Sequence, residues 1–250
     1  MTMGTNTASA EAPLGTHRKN IHPEASAENA RPRHRLSTRL WHWINFSCLV
    51  ILFMSGLNIS NAHPWLYWGD AGFLPEEAWL SVMRFPGWAT IPDYYSLAAA
   101  RDWHLSTAWL YAIGLLFIWI SMLANRHFRR DIAIRRREWH WSAIKEDVRN
   151  HLRFKFDPEE GKYNFFQKLS YGLVYVILLP LMIFTGMAIS PGWEPTLSWM
   201  IDLMGGRQSA RSLHFLIAWA LFAFFVLHVA LVFVSGPIGQ IKAMFLGDRK

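Results

Sequence analysis

The chain has 250 residues, 52% apolar and 15% aromatic, gathered into runs long enough to cross a bilayer, which excludes an ordinary water-soluble domain. A single cysteine, Cys48, excludes an intrachain disulfide framework. The net charge of +7 would suit a nucleic-acid partner, but the basic residues flank the apolar runs, the pattern that orients a membrane protein.

Residues 1–36 are rich in Ala, Thr, Glu, Asn and Pro and contain no apolar core of a signal peptide, so a disordered cytoplasmic tail is expected. It ends in Arg31, Arg33, Arg35 and Arg39, a basic cluster directly ahead of the first apolar run. From there a four-span domain is expected over 37–245, with spans near 40–59, 103–124, 169–190 and 212–235. Most of the 14 tryptophans sit near the ends of these runs, at the depth of the headgroups.

The segment 60–102 carries only Arg84 and Arg101 as cations against Asp70, Glu76, Glu77, Asp93 and Asp102, and reads as a periplasmic loop. Within it, Pro75-Glu76-Glu77 followed by Trp79, Leu80, Met83 and Phe85 predicts a short helix on the outer surface. Its aromatic residues, Trp65, Tyr67, Trp68, Trp79 and Trp88, suit a docking surface or an interfacial anchor. The connection 125–168 is basic, with 12 Lys or Arg against 7 Asp or Glu between Arg126 and Lys168, and reads as a cytoplasmic loop. Trp141, Ile144, Val148 and Leu152 recur in it at helical spacing and predict an amphipathic helix on the inner leaflet. Pro180 is expected to kink the third span, and a short outer loop, 191–212, leads to the fourth. The expected fold is therefore all-α, an integral membrane four-helix bundle with both termini cytoplasmic.

Of 11 histidines, four fall inside or at the edge of the spans: His42, His104, His214 and His228. His214 and His228 share the last span, 14 residues apart; on an α-helix that is a rise of about 21 Å and a rotation ~40° short of four turns, so both imidazoles leave one face at different depths. The alternating topology puts His42 and His228 near the inner face, and His104 and His214 near the outer. Each pair is what a six-coordinate haem iron in a four-helix bundle requires from two facing helices. Structural or proton-relay histidines are the plainer reading, but four that pair by depth favour two b-type haems. Zinc finds no third or fourth ligand at either depth.

Arg39, Arg101 and Arg211 each stand three residues before one of these histidines, and Arg207 four before Arg211, so all four are candidates for binding haem propionates. Arg39 serves equally as an inner-face anchor. Gly56, Gly114 and Gly186 suit close approach of a macrocycle or of a neighbouring helix. Asn164 and Gln167, at the inner end of the third span, can hydrogen-bond a quinone carbonyl or simply be solvated. His63, in the outer segment, reads as a loop histidine that could also serve as a ligand or proton relay.

Several stretches resemble the bacterial di-haem cytochrome b superfamily that includes the Ni,Fe-hydrogenase b-type cytochrome and the formate dehydrogenase gamma subunit. They are R-L-W-H-W around His42, R-D-W-H at His104, K-Y-N-F-F-Q-K at 162–168, T-G-M-A-I-S-P at 185–191, and the His214/His228 span. H-P-W-L-Y-W-G at 63–69 and G-G-R-Q-S-A-R at 205–211 look like the branch that accompanies periplasmic molybdopterin oxidoreductases. The resemblance implies a quinone site near the inner haem, close to His228 and to Lys162, Tyr163 and Asn164, with Gln167 nearby. The 60–102 segment is longer than the outer first loop of the gamma subunits, so their mode of partner docking does not transfer.

The expected function is that of a membrane-bound di-haem cytochrome in a bacterial inner membrane, moving electrons between the quinone pool and a periplasmic oxidoreductase partner, a molybdopterin enzyme. Two alternatives remain at this point. One is a transporter or channel that uses the histidines as a proton pathway. The other is a self-sufficient quinone-reducing cytochrome, for example one that oxidises superoxide.

Overall fold

The structure, a computed structural model, describes residues 36–72, 74–125, 140–141, 144–145, 148–149, 165–234 and 236–247. The expected tail, most of the basic connection, and Tyr163 and Asn164 lie outside these residues. Four long apolar helices make the bundle: α1 (Leu36–Ala62), α2 (Leu97–Ala124), α3 (Phe165–Ile189) and α5 (Arg207–Val234). Two shorter ones follow the third and fourth spans, α4 (Glu194–Leu203) and α6 (Pro237–Leu246). Each long helix can cross a membrane by length and composition, and Leu116, Phe117, Ile120 and Leu123 on α2 or Phe233 and Val234 on α5 are exposed. Lipid accommodates such side chains where water would not, while the helical backbone satisfies its own hydrogen bonds.

α1 packs along α2, and α3 along α5. Cys48, Tyr111, Leu115, Val174 and Leu179 form a buried cluster joining α1, α2 and α3, so Cys48 is a packing residue. α2 starts at Ser96, whose hydroxyl caps the Ala99 N–H. The irregularity expected at Pro180 is absorbed one turn earlier. Residues Leu173–Leu178 form a π turn, closed by the Leu179 N–H on the Val174 carbonyl, and Pro180, which has no N–H to give, starts the next α-helical stretch.

The greatest departure from expectation lies in the segment between α1 and α2. The helix expected after Pro75 lasts a single 3₁₀ turn, Pro75–Glu77, because Leu80–Ser81 (β2) pairs antiparallel with Trp65–Leu66 (β1). Trp79 is partly exposed and also tied down: its Nε1 donates to Ser212 Oγ on α5, and that hydroxyl donates to the Tyr67 carbonyl. The Gly69 carbonyl accepts from the Gln208 and Ser209 N–H groups, and the Gly69 N–H donates to Ser209 Oγ, so the loop caps the first turn of α5. Gly206 permits this contact: its φ is +115° and a Cβ there would lie 2.3 Å from the Gly69 carbonyl carbon.

On the other flank the end of α1 grips the same segment. The buried Asn58 donates from Nδ2 to the Pro92 and Tyr94 carbonyls, and Asn61 exchanges two hydrogen bonds with Phe85. The segment is thus a fixed cap over one end of the bundle, hereafter the capped end. The opposite, tail end carries α6.

Candidate functional site

His104 lies two turns into α2 and His214 two turns into α5, so both reach the same level beneath the cap. Their ring centroids are 6.3 Å apart, with planes inclined by 67°. With a metal–imidazole bond of about 2.0 Å and about 1.1 Å from nitrogen to ring centre, two imidazoles on opposite sides of one ion stand about 6.2 Å apart. At the tail end the centroids of His42 on α1 and His228 on α5 are 6.5 Å apart, inclined by 54°. Both spacings leave room for one metal ion between the rings and are too long for a direct hydrogen bond between most orientations of two imidazoles.

The capped-end rings are oriented from behind. Ser55 Oγ lies 3.0 Å from His104 Nδ1, and Thr185 Oγ1 lies 2.9 Å from His214 Nδ1. Each hydroxyl has one proton, and each already gives it to its own helix: Ser55 to the Ile51 carbonyl at 2.6 Å, Thr185 to the Leu181 carbonyl at 2.8 Å. The hydroxyls therefore accept from Nδ1–H, which leaves the lone pair of each ring on Nε2, the nitrogen that binds a metal. The residue after each hydroxyl is glycine. A Cβ on Gly56 would meet His104 Cε1 at 3.6 Å, and one on Gly186 would meet His214 Cε1 at 3.3 Å. Gly114, by contrast, makes room for the Trp41 ring, whose atoms would lie 2.4 Å from a Cβ there.

A cavity of about 560 Å³ opens between α1, α2, α3 and α5 at this level, within the range of about 300–1,000 Å³ usual for ligand sites. Gly56, His104, Gly186 and His214 line it, and its wall is mostly apolar. Arg101, Arg207, Arg211 and His63 stand among its lining residues as well, so an apolar space carries several cationic or protonatable groups. Arg207 donates to the Ile189 carbonyl and Arg211 to Gln208 Oε1. Burial, then the fields of Arg211 and Arg101, lower the pKa of His63 below its ordinary 6.5, so it is neutral at pH 7. This chemistry fits a haem: two Nε2 ligands, apolar walls for the ring, and guanidinium groups for the propionates.

The tail-end pair is set differently. His42 lies edge-on to Trp43, and His228 stacks with Phe224. Two buried polar atoms one turn apart on α1, Trp41 Nε1 and Asn45 Oδ1, have no hydrogen-bond partner, a cost of about 1–3 kcal/mol each until one arrives. Arg39, one turn before His42, sends its guanidinium to the Met244 and Phe245 carbonyls at the end of α6. The last carbonyls of a helix lack intrahelical partners and carry negative dipole charge, which is why a cation settles there. Trp43 packs against Phe245, ring centroids 4.3 Å apart and planes tilted by 35°, and completes the clamp. Gln167 lies in the first turn of α3. Among the described residues no cluster of three or more His, Cys, Asp or Glu could hold a metal ion by side chains alone.

The features that sequence reasoning missed are Ser55, Thr185, Asn58 and the Gly69 contact. The first two had a signal, a hydroxyl residue followed by glycine on each of the two spans that face a capped-end histidine.

A four-helix membrane bundle with facing histidines and no other metal-ligand cluster among its described residues defines the class of membrane b-type cytochromes. The sequence model of the prokaryotic cytochrome b561 family matches residues 33–247, and the chain belongs to that family. It is 28% identical over 197 residues to a putative protein-methionine-sulfoxide reductase subunit, YedZ1, of Azospira oryzae, covering 78% of this chain and 86% of that one. It is 26% identical to a probable Ni/Fe-hydrogenase B-type cytochrome subunit of Azotobacter vinelandii, over 77% and 76% of the two chains. The corresponding figures for the probable hydrogenase cytochrome subunit of Cupriavidus necator are 24%, 76% and 74%. No solved structure matches the chain. The membrane location and the b-type haem follow from the family, and these relatives are named as subunits of oxidoreductases.

Proposed function

We propose that the chain is a di-haem cytochrome subunit that carries electrons across a bacterial inner membrane, between the quinone pool and a periplasmic oxidoreductase. His104 and His214 would hold one haem, His42 and His228 the other. The observation that carries this reading is the centroid spacing of 6.3 and 6.5 Å at two separate levels, both matching a pair of imidazoles on one iron. Bound haem supplies reversible one-electron chemistry; the protein supplies ligands, burial and charge. Arg101, Arg207 and Arg211 neutralise the propionates at the capped end. Arg39, whose guanidinium also bonds the α6 carbonyls, stays a candidate for the tail-end propionates.

The charge asymmetry of the connections supports a periplasmic capped end and cytoplasmic termini. Quinone would then react at the tail end, where Gln167, Tyr163 and Asn164 remain candidates for its carbonyls and protons exchange with the cytoplasm. Trp41 Nε1 and Asn45 Oδ1 offer a further donor and acceptor there. The partner at the capped end is a molybdopterin enzyme on this reading, which draws on the resemblance of residues 63–69 and 205–211; likeness to a subunit named for methionine-sulfoxide reduction supports an oxidoreductase partner. The test is a visible spectrum and haem-to-protein ratio on the purified chain, followed by addition of quinol. Two haems per chain, reduced by quinol, are expected. A colourless protein would sink the reading in favour of a proton pathway, and a ratio of one would remove the second site.

A further inference from the structure

The two hydroxyl-glycine pairs have a role that the family assignment does not specify. Ser55-Gly56 and Thr185-Gly186 stand on different helices, α1 and α3, yet each meets the histidine of the neighbouring helix in the same way. The hydroxyl takes the Nδ1–H, together with the carbonyl of Leu52 at His104 and of Met182 at His214, and the glycine leaves space at Cε1. Ser55 is fully buried and Thr185 nearly so, and neither hydroxyl can rotate freely, because each is also tied to a carbonyl of the preceding turn. The two imidazoles are thereby held from two different helices, α1 and α3, with their ring centroids 6.3 Å apart beside the cavity.

We infer that Ser55 and Thr185 are the positioning residues of the capped-end haem, each fixing the tautomer and the ring plane of one axial ligand. This rests on the reading that His104 and His214 hold a haem. A hydrogen bond accepted from Nδ1–H makes the imidazole a more basic ligand, and a more basic ligand stabilises ferric over ferrous iron. Ser55 and Thr185 therefore lower the midpoint potential of the capped-end haem. Their fixed directions also hold the two ring planes at their mutual angle, which is 67° in the structure. Ser55 and Thr185 meet the capped-end imidazoles, so the effect of removing their hydroxyls falls on that haem.

The test uses the full chain carrying both haems. Thr185→Val keeps the shape and deletes the hydroxyl, Thr185→Ser keeps the hydroxyl, and Ser55→Ala deletes the other one. Redox titration followed by visible and electron paramagnetic resonance spectra reads each haem, the capped-end signal being the one missing from His214→Ala. Thr185→Val and Ser55→Ala are each expected to raise the capped-end midpoint and shift its low-spin resonance, with the tail-end haem unmoved and Thr185→Ser close to wild type. Haem retention at the capped end should weaken on the order of 10-fold. Unchanged capped-end potential and resonance in Thr185→Val and Ser55→Ala, with both haems present, would overturn the inference. So would a Thr185→Ser shift as large as that of Thr185→Val, since packing rather than the hydroxyl would then be responsible. A wild-type chain without a capped-end haem fails earlier, at the proposed function.

Discussion

At the capped end both imidazoles are tied by hydroxyls, flanked by glycines and roofed by a loop that is bonded to α1 and α5. At the tail end His42 and His228 lie among aromatic rings, beside a buried donor and a buried acceptor that lack partners. The difference teaches what each end can do. A site whose two imidazoles are each tied by a protein hydroxyl fixes one resident group in one geometry. A site that leaves Trp41 Nε1 and Asn45 Oδ1 unsatisfied gains from whatever brings an acceptor and a donor, as a quinone and its quinol do. Under the proposed function, electrons leave or enter through the rigid end and substrate exchanges at the other.

The widest break in the comparison is removal of a ligand. His214→Ala should abolish the capped-end haem and leave the tail-end spectrum, and His42→Ala should do the reverse, each halving the haem-to-protein ratio of the purified chain. Loss of both haems from either variant would mean that the two sites form as one unit and not as independent ends.

Next in size are changes to the roof. Gly206→Ala puts a Cβ at 2.3 Å from the Gly69 carbonyl carbon and asks a left-handed φ of alanine, so it should destabilise by more than about 1 kcal/mol. Asn58→Leu strands the Tyr94 carbonyl and leaves the Pro92 carbonyl with the Thr90 hydroxyl alone, and should cost about 1–3 kcal/mol, less any water that reaches them. Both should speed proteolysis within 63–95 and thermal bleaching of the capped-end haem, while the tail-end haem bleaches at its wild-type temperature. Equal bleaching at both ends would show that the cap stabilises the whole bundle.

How much of this was legible in the sequence differs between the two ends for a physical reason. Spans follow from runs of apolar residues, and the depth pairing of histidines follows from the 14-residue spacing together with alternating chain direction. Those inputs are local or one-dimensional. The cap is neither: Gly69 meets the Ser209 hydroxyl across 140 positions and Tyr67 meets the Ser212 hydroxyl across 145, through loop backbone groups that every residue carries. Pro75-Glu76-Glu77 is a sound helix start, but the pairing of Leu80–Ser81 with Trp65–Leu66 overrides it. Ser55 and Thr185 looked like ordinary hydroxyls on apolar helices, which bond to their own i−4 carbonyls; they do so here, and with the remaining lone pair they take an imidazole as well. Arg39 has the spacing of a propionate ligand, and its guanidinium also reaches a carbonyl of α6, a helix that lies beyond the last apolar run and 205 positions away.

Arg39→Gln sharpens the tail-end side of the comparison with a smaller effect. It removes the cation from the α6 carbonyls, a contribution of about 0.3–1 kcal/mol for a helix-end charge, and Trp43 still packs against Phe245. Faster hydrogen exchange in residues 237–246 is expected, with both haems retained. Selective loss of the tail-end haem would instead assign Arg39 to the propionates.

The smallest expected effect separates the ends by pH. His63, at the capped end, has its pKa lowered by burial and by Arg211 and Arg101, while in the unfolded chain it titrates near 6.5. Between the lowered value and 6.5 the unfolded chain binds the proton that the folded chain refuses, so stability rises with pH in that window. The contribution is full above 6.5 and is lost as pH falls through the folded value. His63 is only half-buried, so screening keeps the effect small. Capped-end bleaching temperatures taken at about pH 5 and about pH 7.5 should therefore differ slightly less in His63→Asn than in wild type. Propionates seated among Arg101, Arg207 and Arg211 offset the guanidinium fields and narrow the window, and His214→Ala, lacking that haem, should restore it. The acid sensitivity traced to His63, read by global unfolding, should then be larger in the His214→Ala background than in wild type; the opposite order would place the carboxylates elsewhere.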